Sequence, residues 1–197
     1  MVEVLEHHVG QADAFTMSLE RDPLLRSTIV AVALLDRAPD LEILRDRLDR
    51  ATRLAPTFRE RLVPSPLGLA PPRFQVDPDF DLGFHLRRVQ APAPQDLATV
   101  LEMARTMGMA AFDPARPLWE FTVVEGLHDG HAALIMKVHH ALTDGIGGIQ
   151  LAAHVVDFSR EPTEQGPMPP APRGRQHGPG EPLVDALRYD QIGRAHV

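Results

Sequence analysis

The run Ala132-Ala133-Leu134-Ile135-Met136-Lys137-Val138 leads directly into His139-His140-Ala141-Leu142-Thr143-Asp144-Gly145, and this stretch constrains the fold most. Its length and apolar content predict a buried or half-buried strand. A His-His-x-x-x-Asp-Gly sequence at the strand end puts an imidazole where the backbone leaves the sheet. Adjacent strand residues point to opposite faces, so His139 and His140 cannot share one role. One is expected to face a pocket and the other to be buried as a structural donor. Imidazole is suited to proton transfer near neutral pH, and general-base help to a hydroxyl contributes about 10²–10⁴-fold. Acyl transfer to a hydroxyl is therefore the first hypothesis. Gly145 permits a positive φ or a close approach that a Cβ would block.

Other segments supply the sheet and its cover. Ser27 to Leu35 is rich in β-branched residues and predicts a strand. Asp40 is placed to cap a helix carrying Leu41, Leu44, Leu48, Ala51 and Ala55 on one face, which Pro56 ends. Leu97, Val100, Leu101, Ala104 and Met107 mark a second amphipathic helix. Glu120 to Val124 predicts a short strand, joined through the turn signal Asp129-Gly130 to the strand before the histidines as a hairpin. After Gly145, Ile149, Leu151, Ala152, Ala153 and Val156 predict a buried helix running to Phe158. Strands mixed with helices indicate an α/β or α+β sheet covered by helices. Three zones follow: residues 1–158 as a folded unit, the Pro/Gly-rich 159–182 as a linker or extended surface crossing, and 183–197, which is too short to fold alone and is expected to be poorly ordered.

Composition narrows the function classes. The chain has 197 residues, 44% hydrophobic and 24% charged, which is ordinary for a globular protein. A net charge of −7 without a Lys/Arg cluster argues against a nucleic-acid partner. With no cysteine there is no disulfide, thiolate nucleophile or Cys-ligated zinc, and a cytoplasmic location is expected. The N-terminus has acids where a signal peptide needs bases, and no apolar run approaches the roughly 18–20 residues of a membrane span. The bland alternative for the motif is a buried histidine pair satisfied by the backbone, with Asp144-Gly145 as a turn. A metal site is disfavoured, because adjacent strand histidines rarely converge on one ion.

The double-histidine stretch resembles the active-site motif of the chloramphenicol acetyltransferase-like superfamily. Further segments are similar to those of the bacterial wax ester synthase/acyl-CoA:diacylglycerol acyltransferase family. These are Ala12-Asp13-Ala14-Phe15 through Glu20, Pro56-Thr57-Phe58-Arg59-Glu60-Arg61-Leu62, Asp77-Pro78-Asp79-Phe80-Asp81-Leu82 with His85, and Phe112-Asp113-Pro114-Ala115-Arg116-Pro117-Leu118-Trp119-Glu120 with Glu125-Gly126-Leu127. The resemblance spans about residues 10 to 190.

The resemblance implies an α/β fold of that superfamily: a two-layer subdomain, a mixed sheet with covering helices, forming one half of a two-subdomain enzyme with a tunnel between the halves. It implies His140 as general base, with His139 and Asp144 holding the geometry, Asp144 through an arginine for which Arg59 is the candidate. Trp119, Phe112 and His85 are expected to be structural. No bound cofactor is expected. The implied partners are acyl-CoA as co-substrate, diacylglycerol or a long-chain alcohol as acceptor, and a missing C-terminal half; contact with a membrane or lipid droplet stays open. One departure is Gly147-Gly148 after Ile146, where many relatives carry a serine in place of Gly147, so a hydroxyl that could help an oxyanion is absent. Ile192 to Val197 matches one reading frame of a common sequencing adapter, which leaves two readings open: non-native residues, or a genuine tail without structure. This chain is accordingly expected to be an inactive fragment that exposes an apolar face. The alternatives are a condensation-type enzyme using carrier-bound thioesters and a non-catalytic half that binds lipid or a partner.

Overall fold

The computed structural model describes residues 7–142, 155, 166–175, 178 and 180–194. Its centre is a four-stranded mixed sheet built from β2 (Thr28–Leu35), β5 (Leu86–Gln90), β6 (Trp119–Glu125) and β7 (Ala132–His139). Their order is β2-β7-β6-β5, which puts the motif strand β7 in the interior. β7 runs antiparallel to both neighbours, while β5 and β6 are parallel. A parallel pair needs a crossover, and the helix α4 (Leu97–Met109) supplies it between β5 and β6. The β6–β7 hairpin turns at Asp129 (φ 59°) and Gly130 (φ 75°), the two successive positive φ values that an Asp-Gly pair tolerates.

Both faces of this sheet are covered. On one, Leu134, Val138 and Phe121 pack with Leu44, Leu48 and Ala51 of α2 (Leu41–Leu54). Asp40 caps α2, its carboxylate accepting from the N–H groups of Glu42 (2.8 Å) and Ile43 (3.3 Å). On the other face, Ala133 and Ile135 pack with Val100 and Ala104 of α4. The inward face of α4 is Val100, Met103, Ala104 and Met107, at i, i+3, i+4 and i+7; Leu97 and Leu101, expected inside, are about half exposed. Gly108 lets this helix lie close, since a Cβ there would come 3.0 Å from Val30.

A smaller antiparallel sheet, β1 (His7–His8), β3 (Glu60–Val63) and β4 (Arg73–Val76), is ordered β1-β4-β3. The described part of the proline-rich zone runs beside α2. Its carbonyls at Gly166, Pro167 and Pro169 accept from Arg50 and Arg53. The last zone differs from expectation. It contains a helix, α5 (Glu181–Arg194), which buries Ala186 and sets the Tyr189 ring 4.6 Å from that of His8. A segment too short to fold alone is held here by contacts with the small sheet. The helix expected after Gly145 lies outside the described residues, apart from a buried Val155.

Candidate active site

Strand pairing fixes where the motif sits. The β2–β7 register sets Thr28 opposite His139, at the last rung of the ladder. The His139 N–H donates to Leu118 O (2.9 Å) and the His140 N–H to Ser27 O (2.8 Å). At that point the chain leaves the sheet as a 3₁₀ turn over His140–Leu142. The two imidazoles part where the strand ends: His139, its last residue, is 3% exposed, whereas His140, the first of the turn, is exposed.

His139 is bonded through both ring nitrogens. The Ala141 N–H donates to Nδ1 (3.0 Å), so Nε2 carries the proton and donates to Glu20 Oε1 (2.8 Å). Phe112 meets this ring edge-on at 6.0 Å and lies 4.1 Å over the ammonium of Lys137, two residues back on the same strand face. Lys137 is buried, with Glu120 Oε2 3.9 Å from its Nζ. Burial pushes its pKa below the ordinary lysine value, and Glu120 draws it partly back.

His140 opens on a cavity of about 200 Å³ lined also by Asp13, Thr16, Met17, Ser27, His139 and Ala141. The helix α1 (Gln11–Leu19) forms one wall, and Phe15, Leu19, Leu24 and Leu25, on and after it, expose much of their surface. A larger hollow, about 380 Å³, lies at the opposite end of β2, lined among others by Leu34, Leu127 and His131. It contains no motif residue, so chemistry rather than size picks the site.

Asp144, Gly145 and Gly147 lie outside the described residues. Arg59 is buried at the end of α2, where its guanidinium donates to Thr52 Oγ1 (2.9 Å) and pairs with the Asp49 carboxylate. Trp119 is fully buried, its indole N–H donating to Phe58 O (2.8 Å). His85 is stacked between Trp119 (4.4 Å) and Phe80 (5.3 Å), and its Nδ1–H donates to Trp119 O (2.7 Å). These two rings build the core and do not line the cavity. Sequence reasoning assigned no role to Glu20 or Ser27, which meet the motif through contacts with residues more than 100 positions away.

The wax ester synthase/diacylglycerol acyltransferase catalytic domain model matches residues 3–191. The chain belongs to this family. A putative diacylglycerol O-acyltransferase of Mycobacterium tuberculosis is 39% identical over 185 residues, covering 94% of this chain and 38% of that protein. The chain thus spans well under half the length of this curated family member. The solved wax ester synthase/diacylglycerol acyltransferase from Marinobacter aquaeolei VT8 superposes with a TM-score of 0.65 at 27% identity, covering 96% of this chain and 46% of that one. The starter condensation domain of rhizomide synthetase gives 0.63 at 15% identity over 77% of this chain, a likeness of fold alone. The expected α/β fold of the chloramphenicol acetyltransferase-like superfamily is therefore present.

Proposed function

We propose that the family site in this chain serves acyl-CoA-dependent transfer of a fatty acyl group to the hydroxyl of diacylglycerol or a long-chain alcohol, with His140 as general base. One observation carries this reading: an exposed imidazole on a cavity wall, at the end of a buried strand, beside a second imidazole whose ring nitrogens are both occupied. His140 takes the proton of the acceptor hydroxyl, and the oxygen attacks the thioester carbonyl. The tetrahedral intermediate collapses to the ester, and the CoA thiolate leaves and takes the proton back from the imidazolium. Direct attack requires no acyl-enzyme, and the chain has no cysteine to form one.

His139 holds the turn, and Asp144 and Gly145 are proposed to shape the loop after His140, Asp144 by pairing with an arginine, for which Arg59 remains the candidate. The rest of the acyl tunnel is proposed to come from sequence that the longer relatives carry beyond the matched part, so activity needs a second half. Contact with a membrane or lipid inclusion from a cytoplasmic location belongs to the same proposal; among the described residues no helix is long and apolar enough to cross a membrane.

The test is a product assay offering acyl-CoA with diacylglycerol and with a long-chain alcohol. The protein expressed from its complete gene is expected to release CoA and form triacylglycerol or wax ester, and the 197-residue chain alone to show little turnover. Turnover only with a carrier-protein thioester would replace this reading with the condensation-type one.

A further inference from the structure

We infer that Glu20 is a positioning residue for His140, acting through two backbone links at once. One oxygen, Oε1, accepts from His139 Nε2–H (2.8 Å) and from the Ser27 N–H (3.1 Å). Each contact continues to His140 from a different side. His139 accepts the Ala141 N–H at Nδ1, which closes the turn after His140. Ser27 accepts the His140 N–H at its carbonyl, which anchors the residue from the β2 side. A single carboxylate thereby braces the peptide units on both sides of the proposed base. It lies 119 residues from His139 in sequence, on the segment that follows the cavity-wall helix α1.

The Ala141 N–H and the Glu20 carboxylate agree on one tautomer. A donor aimed at Nδ1 excludes a proton there, and an acceptor aimed at Nε2 requires one. Without Glu20, Nε2–H has no carboxylate to hold it, the ring is free to turn, and the bond to Ala141 loosens. His140 would then be displaced against its acceptor without losing its own chemistry. A misplacement of about 1 Å in such a group costs on the order of 10²-fold in rate. The Glu20 side chain is only 19% exposed, so water does not readily replace it.

This inference deepens the proposed acyl transfer and rests on it for its kinetic consequence, but not for its structural one. The test therefore joins ¹⁵N NMR of the histidine-labelled 197-residue chain with turnover of the protein from its complete gene. In the unmodified chain His139 is expected as the Nε2–H tautomer, and in E20A as a mixture. Turnover of E20A is expected to fall about 10²-fold in kcat with KM for the acyl donor unchanged. E20Q, whose amide oxygen accepts both N–H groups, should recover most of the lost kcat. An Nδ1–H tautomer in the unmodified chain overturns the inference, as does an E20A variant with unchanged tautomer and kcat. If E20A does not fold, the tautomers of the unmodified chain and of E20Q decide, and Nδ1–H in either counts against Glu20. Failure of the acyl-transfer reading shows separately, as no turnover of acyl-CoA by the unmodified protein from its complete gene, and the His139 tautomers then decide on Glu20 alone.

Discussion

Ionisable side chains lie buried around the sheet, among them His85, Lys137 and His139. His85 sits at 0% exposure between two aromatic rings, with Nδ1–H on Trp119 O and no partner for Nε2 among the described residues. Burial lowers its pKa from the ordinary 6.5, although the Trp119 carbonyl favours the charged form. The sign follows from linkage. The unfolded chain takes up a proton near pH 6.5 and the folded one only below that, so stability falls as pH drops from 6.5 toward the folded value. Urea midpoints should decline over that range, with a shallower slope in His85→Phe; equal slopes would contradict the assignment. The different burial of the two motif histidines was legible at this scale, because adjacent residues at a strand end point apart. Glu20 was not, since nothing in local spacing joins it to a histidine 119 positions away.

Among the elements, α2 was readable from its cap and its periodicity. Asp40, Leu44, Leu48 and Ala51 do what a helix start and an apolar stripe imply. Removing the cap in Asp40→Ala should cost about 1 kcal/mol in a denaturant titration, and an unchanged midpoint would mean that the two N–H groups find other acceptors. For α4 the period was right but the face was drawn too wide. Leu97 and Leu101 match an apolar pattern, yet the sheet takes Val100, Met103, Ala104 and Met107. The hairpin turn at Asp129-Gly130 was legible because its φ values demand those residue types. The parallel β5–β6 pair and the docking of α5 on the small sheet were not, because distant segments decide both.

At the scale of the whole molecule, an interior strand carries the motif to a cavity whose other wall is an N-terminal helix. The fold and the family follow from many segments agreeing along the chain, from the opening helix to the Trp119 strand. The proposed acyl tunnel does not, for the chain spans 38% of its M. tuberculosis relative. CoA release by H140A, expressed from the complete gene and compared with the unmodified protein, tests the general-base assignment most directly. Loss of at least about 10²-fold in kcat, with the fold intact by circular dichroism, is expected. Turnover equal to that of the unmodified protein would contradict it.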